Sequence, residues 1–229
     1  MKNVKRVLIT GGNTEIPIDS VRVISNIFKG RTGVAIFNEF ARKSHYNVTL
    51  LGNPGMKNFI TEHYNGEGTE NSFYPYKTYD QLYDLMKEHI TTSNYDVIIH
   101  SAAVSDYYVN AVVKEPGGAV LDNSAKISSS HEKLYLELKQ TRKIVDDIRN
   151  LWGFEGFLVK FKLQVGLSDN ELLEIARASR VQSKANIIVA NCLEWSKERA
   201  YISDEFQDKS VFRDLLPREL FNRIEELSK

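Results

Sequence analysis

Short apolar runs alternate along the chain with segments whose apolar residues recur every three or four positions, which predicts strands and helices in turn. Residues 6–10 (RVLIT) form an apolar, β-branched run ending at Gly11 and Gly12, as expected for a buried parallel strand that opens into a loop. In residues 33–43 (GVAIFNEFARK), Val34, Phe37 and Ala41 share one helical face, leaving Asn38, Glu39 and Lys43 for the other. Residues 47–51 (NVTLL) predict the next strand, followed by the turn chemistry of Gly52-Asn-Pro-Gly55, and this completes a βαβ unit. Residues 55–73 read as a surface loop with little function, leading to a strand near 73–76. The amphipathic helix 79–90 and the buried strand 96–100 (DVIIH) come next. Residues 114–130, rich in Gly, Ser, Lys and Asn, predict a long functional loop. Beyond it the pattern gives a half-buried strand at 134–138, helices at 143–151 and 170–181, and strands at 157–161 and 187–190. An edge strand at 200–202 and an amphipathic helix at 217–227 close the chain.

This order predicts a doubly wound α/β fold: a mostly parallel sheet with helices on both faces, Rossmann-like, forming one domain over residues 1–229 with a long active-site loop. Ligands of such a sheet bind beyond the carboxyl ends of its strands, and the informative loops fall at that edge. Composition narrows the partners. Thirty basic and thirty acidic side chains cancel, so no global field draws the chain to nucleic acid or to an anionic membrane, and any phosphate site must be local. No apolar run approaches the roughly 18 to 20 residues that cross a bilayer, and the apolar stretch after the basic residues 1–6 is too short for a signal peptide. The lone Cys192 can form no internal disulfide. With these features the expected location is the cytoplasm.

The first loop is unusually long, running from Gly11 and Gly12 through Asp19, Arg22 and Asn26 to Gly30 and Gly33. Glycines let a backbone approach an anion, a helix start offers N–H groups to phosphate, and Lys29 and Arg31 add local charge. A Gly-Gly pair on its own would be explained by chain reversal. The loop matches neither the dinucleotide fingerprint Gly-x-Gly-x-x-Gly nor the P-loop pattern. Tyr83-x-x-x-Lys87 sits in an ordinary amphipathic helix and is read as coincidence. After the strand at 96–100, the small residues Ala102 and Ala103 would let a base or ribose approach, and Asp106 could accept its hydrogens. Tight packing and a cap at Asp106 would explain the same residues. Lys126-Ile-Ser-Ser-Ser130 could meet a triphosphate with one ammonium and several hydroxyls, or could simply be a solvated loop.

Together these segments resemble phosphopantothenate–cysteine ligase, also called phosphopantothenoylcysteine synthetase, in a short monofunctional form. The match is carried by Leu8-Ile-Thr-Gly-Gly, by Pro-Ile-Asp19-x-Val-Arg22-x-Ile-Ser-Asn26 with Gly30 and Gly33, by Ala102-Ala-Val-Ser-Asp106-Tyr, and by Lys126-Ile. Val159-Lys-Phe161-Lys-Leu and Ile188-Val-Ala-Asn191 extend it into the second half. The resemblance implies coenzyme A biosynthesis: a nucleoside triphosphate activates the carboxylate of 4′-phosphopantothenate as an acyl-nucleotide, with Mg2+ assisting, and the amine of L-cysteine displaces the nucleotide. By position, Asn26 matches the family's catalytic asparagine, an oxyanion-stabilising role, and Lys126 its lysine at the triphosphate. Gly11, Gly12, Ala102, Ala103, Asp106 and Phe161 match nucleotide contacts. Arg180 and Lys184, four apart and so expected on one helix face, match a pair of nucleotide-binding lysines. Arg22, Gly30 and Gly33 match the surroundings of the substrate phosphate, although a salt bridge to Asp19 is an equally physical use of Arg22. No metal ligands are named by the match, and a homodimer is implied.

Lys126-Ile-Ser-Ser and Thr141-Arg-Lys depart from the Lys-Ile-Lys-Lys and Asn-Pro-Asp of many bacterial members, which bears on base preference. CTP is favoured, with ATP the alternative. In many bacteria this domain follows a flavin-dependent decarboxylase. The chain opens directly on the ligase strand, so FMN is not expected. Two other readings share the sheet: an NAD(P)-dependent reductase, motivated only by Leu8-Ile-Thr-Gly-Gly, and a non-catalytic nucleotide-binding regulator, against which Asn26 and Lys126 argue.

Overall fold

The computed structural model describes residues 4–61 and 70–228. Strand β1 (Lys5–Gly11) is buried on both faces from Val7 onward, as a strand between two helical layers must be. In the long loop after it, β2 (Glu15–Pro17) and β3 (Val23–Ser25) pair as a small antiparallel hairpin. Helix α1 (Arg31–Ala41) returns across the sheet with Val34, Ile36, Phe37 and Phe40 buried, and β4 (Tyr46–Gly52) then runs parallel to β1. Next come β5 (Ser72–Pro75) and α2 (Tyr79–Thr92), the latter opened by a reciprocal capping box between Thr78 and Gln81. Strand β6 (Val97–His100) lies on the other side of β1. The remaining elements are β7 (Tyr107–Val113), β8 (Tyr135–Gln140), α3 (Ile144–Asn150), β9 (Phe157–Gln164), α4 (Asp169–Gln182), β10 (Ile187–Cys192), β11 (Arg199–Ser203), β12 (Asp208–Phe212) and α5 (Leu216–Leu227).

The main sheet has the order β12-β11-β10-β9-β6-β1-β4-β5. Strands β5, β4, β1, β6, β9 and β10 are parallel, and β11 and β12 extend one edge antiparallel. From β1 the chain winds outward through β4 and β5, then crosses back to β6. The topological switch point therefore lies between β1 and β6, and the crevice a ligand would use opens beyond Gly11 and His100. Helices α1 and α5 cover one face around a core that includes Val7, Ile9, Ile99 and Val189, while α2 and α3 cover the other around Leu8, Ile98 and Leu158. At the centre of the first core the Phe40 ring meets Tyr46 and Phe221 edge-on, with centroids 5.2 and 5.0 Å away.

The mostly parallel, doubly wound sheet is as expected from the sequence, with local corrections. The strand expected at 134–138 is not in the main sheet. As β8 it pairs with β7 in a separate two-stranded arm and is largely exposed, because its apolar positions have no helical layer to meet. Strands β2, β3, β7 and β12 had no counterpart in the sequence reading. The stretch expected to be a plain surface loop contains a 3-10 helix, Pro54–Phe59, that buries Met56. Residues 62–69 of that expected loop lie outside the described residues. Helix α1 starts at Arg31, two residues before the expected position, since Gly30 already serves as its N-cap.

Replacing Phe40 by Ala empties the centre of the three-ring cluster. The variant is expected to lose about 3–5 kcal/mol of stability, read as a lower urea midpoint with an unchanged denaturant slope.

Candidate active site

At the exit of β1, the backbone of α1 is pressed directly onto the strand. A methyl group added to Gly33 would sit 2.9 Å from Gly11 Cα and 3.2 Å from Ser101 Oγ, so the helix can approach this closely only without a side chain there. Gly30 precedes the helix in the left-handed region at φ 78°, where it acts as N-cap without any side chain to occupy the first N–H groups. Those donors, with the helix dipole behind them, are left facing the switch point, which is a ready site for an anion. The buried Met56 of the 3-10 helix packs beneath these glycines.

Across the crevice, the segment after β6 is stitched to the first loop by short polar groups. Ser101 N and Ser101 Oγ both donate to Thr10 O, Ala102 N donates to Thr10 Oγ1 (3.2 Å), and Ala103 N donates to Gly12 O (2.7 Å). Asn53 receives Asn13 N at 2.8 Å and returns a bond to Asn13 O at 2.8 Å, while Ser105 N donates to Thr14 Oγ1. Asn26 is exposed and spans the crevice: its Nδ2 donates to Ala103 O at 3.0 Å. The structure thus brings Gly11, Gly12, Gly30, Gly33, Asn26, Ala102 and Ala103 to one place. Phe161, half-buried in β9 on the face that carries α1, stands two residues past Val159, which pairs with Ile99 next to the crevice.

Lys126 is exposed, next to the buried Ile127. The Ile127 N–H donates to Asp19 Oδ2 at 3.1 Å, and Arg22 Nη2 donates to Ile127 O at 3.0 Å, so the 126 loop is fastened to the turn between β2 and β3. The Asp19 side chain is fully buried and also accepts from Val21 N, Arg22 N and the Arg22 guanidinium. The guanidinium and these backbone donors hold its carboxyl far below the usual carboxylate range. Asp106 is exposed where the loop turns into β7, and its carbonyl receives Thr141 N, while Thr141 Oγ1 donates to Ser105 O. Thr141, one of the positions at which the sequence departs from the bacterial pattern, therefore braces the loop that carries Ala102 and Asp106. Its spacing in the sequence gave no sign of this.

Arg180 and Lys184 are the exception. Helix α4 ends at Gln182, and Lys184 follows in a left-handed conformation at φ 52°, so the two do not share a helix face. Arg180 Nη1 donates to Ala185 O, Lys184 Nζ to Asn150 Oδ1, and Arg149 Nε to Lys184 O. These bonds gather both residues where β10 begins, beside Asn186, whose N–H donates to Leu158 O. That is the amino edge of the parallel sheet, opposite the crevice.

Under the crevice floor, on the α4 side, lie two buried basic groups that the sequence reading did not single out. His100 Nδ1 is 2.9 Å from Thr10 Oγ1, and burial, reinforced by the charge of Lys160, pushes its pKa down to about 4. Lys160, beside it in register on β9, donates to Ser179 O and Ser179 Oγ, and burial lowers its pKa to about 8. Among the described residues no three His, Cys, Asp or Glu side chains gather into a metal site.

The family model of the DNA/pantothenate metabolism flavoprotein C-terminal domain matches residues 2–214. The chain belongs to this family. Its relatives include the coenzyme A biosynthesis bifunctional protein CoaBC of Thermococcus kodakarensis, 31% identical over 93% of this chain and 47% of that protein. A second is phosphopantothenate–cysteine ligase 1 of Oryza sativa subsp. japonica, 31% identical over 50% of this chain and 32% of that one. Among solved structures, the DNA/pantothenate metabolism flavoprotein from Streptococcus pneumoniae superposes with a TM-score of 0.80 at 28% identity, covering 97% of this chain and 99% of the other. The chain spans about half the length, or less, of the curated relatives it matches. For this family member the comparisons agree with the architecture described above: one mostly parallel sheet flanked by helices.

The buried His100 sets a pH dependence. Its folded pKa of about 4 lies below the unfolded value of 6.5, so the unfolded chain binds a proton first as the pH falls. The contribution of neutral His100 is complete above pH 6.5 and is lost on acidification toward 4, up to about 3 kcal/mol. Urea midpoints between pH 7 and 4.5 are expected to fall in the wild type and to fall less in His100→Gln. Identical slopes would mean that His100 is not the group responsible.

Proposed function

We propose that this chain ligates 4′-phosphopantothenate to L-cysteine in coenzyme A biosynthesis, using a nucleoside triphosphate, with CTP favoured over ATP. The observation that carries the reading is Asn26. Its amide lies across the switch-point crevice, bonded to the loop after β6, and it belongs to the same loop whose Gly30 opens the uncapped start of α1. The relatives, a coenzyme A biosynthesis bifunctional protein and a phosphopantothenate–cysteine ligase, support the pathway and the ligase chemistry.

In the first step a carboxylate oxygen of the pantothenate moiety attacks the α-phosphorus of the triphosphate. A P–O bond forms to the acyl oxygen, the bond to the leaving oxygen breaks, and pyrophosphate departs. The N–H groups at the start of α1 donate to phosphate oxygens, and Lys126 offsets the charge that gathers on the leaving group. Ala102 and Ala103 leave room for the nucleoside, Asp106 offers acceptors to it, and Phe161 packs beside it. In the second step the cysteine amine attacks the acyl carbon, an amide bond forms, the acyl C–O bond breaks, and the nucleoside monophosphate leaves while the amine gives up a proton to solvent. Asn26 Nδ2, released from Ala103 O, donates to the oxygen that becomes negative during this attack. When bound, magnesium would supply charge neutralisation at the triphosphate.

The chain is proposed to act as a homodimer, a reading supported by apolar residues left exposed on the β7–β8 arm, Tyr107, Tyr108, Tyr135 and Leu138. A cytoplasmic location is proposed as well. No described helix is long and apolar enough to cross a membrane.

Incubated with phosphopantothenate, cysteine, Mg2+ and either CTP or ATP, the protein is expected to release pyrophosphate and monophosphate in step with amide formation, faster with CTP. Absence of cysteine-dependent product with both nucleotides would refute the ligase reading. Asn26→Asp is expected to release pyrophosphate while amide formation slows by about 10²-fold or more, so that the acyl-nucleotide accumulates. Lys126→Gln is expected to slow pyrophosphate release itself, measured by carboxylate-dependent pyrophosphate exchange.

A further inference from the structure

We infer that Asp19, with Arg22, is the positioning device that couples the two proposed catalytic loops, the Asn26 strap and the Lys126 loop; this rests on the ligase reading given above. Between them Asp19 and Arg22 grip both backbone groups of one residue. Asp19 Oδ2 accepts the Ile127 N–H at 3.1 Å while Arg22 Nη2 donates to Ile127 O at 3.0 Å, much as the edge of a strand would. The grip reaches over more than a hundred residues of sequence. Its jaws are fixed locally: Asp19 Oδ1 accepts Val21 N and Arg22 N at 2.9 and 2.8 Å, and the carboxylate also takes Arg22 Nε at 2.9 Å. The Asp19 side chain has no exposure, so its charge is set by this arrangement and not by solvent.

Apart from the buried Ile127 side chain, the Lys126 loop has few attachments. Among the described residues, the hydrogen bonds that join residues 122–130 to the rest of the chain end on Ile18, Asp19 or Arg22, the third being Asn123 Nδ2 to Ile18 O at 3.2 Å. Lys126 itself is exposed, and its ammonium is carried by a backbone held through these bonds and through the buried Ile127 side chain. Clamping the peptide immediately after it fixes where that ammonium can reach. The turn that provides the clamp lies between β2 and β3, and β3 leads directly into Asn26. A displacement of this turn would therefore move both residues together. This use of Arg22 also competes with direct recognition of substrate phosphate, since Nε and Nη2 are already committed to Asp19 and Ile127. Asp19 and Arg22 are positioning residues, and Lys126 is the group they act through.

The test is hydrogen exchange together with a double-mutant cycle on the full chain. Asp19→Asn keeps an acceptor for Val21 N and Arg22 N but gives up the charge that holds Arg22 and Ile127. Exchange of the Ile127 amide is expected to speed up at least about tenfold, with the amides of β1 and β6 unchanged. The rate of carboxylate-dependent pyrophosphate release is expected to fall in Asp19→Asn with little change in KM for the nucleotide. Adding Asp19→Asn to Lys126→Gln should cost no further rate, because the clamp works through the lysine. Arg22→Lys, which keeps the charge and loses the fork, should lie between wild type and Asp19→Asn in both measurements. Unchanged exchange at Ile127, or rate losses that multiply in the double variant, would overturn the proposal. An inactive wild type would instead sink the ligase reading, leaving the exchange measurement to decide whether the clamp exists. Should Asp19→Asn fail to fold, Arg22→Lys carries the same two readouts.

Discussion

Helix α1 meets the end of β1 at backbone distance, and most of the site follows from that contact. Gly33 lies against Gly11 with no space for a β-carbon, and Gly30 turns the chain into the helix with a positive φ. A helix packed this closely can follow its strand through a tight glycine turn with its first N–H groups still open. The connection instead runs outward through residues 12–30 and folds into the β2–β3 hairpin. The result is an anion-ready helix start at the switch point of the sheet, with a strap of polar residues arching over it. Met56, from the connection after β4, fills the space under the glycines, so a buried thioether supports the same contact from below.

Around this contact the polar groups divide by type. Uncharged donors and acceptors on Thr10, Asn13, Thr14, Asn26 and Asn53 stitch the crevice walls together. Such bonds can be exchanged for ligand contacts without stranding a charge in the interior. The charged pair Asp19–Arg22 sits to one side, where it orders backbone. The buried His100 stays neutral at physiological pH beneath the floor, next to the Lys160 ammonium, which is held by Ser179. Charge in the crevice would then come from Lys126, Asp106 and the helix start, all of which reach solvent or ligand from the rim.

The parallel strands were legible in the sequence because each is a short apolar run buried on both faces, and α1, α2, α4 and α5 because their apolar stripes keep helical spacing. Strand β7 was not, since a bulge between Val109 and Ala111 breaks its alternation; β8 was read as a strand from its alternation, but not its place in a separate, exposed arm. The hairpin strands are three residues long, below what periodicity can reveal. In the site, the glycines and Asn26 were visible through their motif, and the structure places them together. Arg180 and Lys184 were placed wrongly because spacing by four implies one face only while the helix lasts, and the left-handed turn at Lys184 comes after its end. The Asp19–Arg22 salt bridge could be read from three-residue spacing, but its hold on Ile127 spans 108 residues and exists only in the folded chain.

The central claim is that the crevice between β1 and β6 supports activation of a carboxylate as an acyl-nucleotide. If phosphopantothenate carries 18O in its carboxylate, that step places one labelled oxygen between carbon and phosphorus, and amide formation leaves it on the nucleoside monophosphate. 31P NMR of the released monophosphate should show the isotope-shifted resonance, with unlabelled pyrophosphate. Label appearing in pyrophosphate or inorganic phosphate, or product formed with an unlabelled monophosphate, would contradict the account.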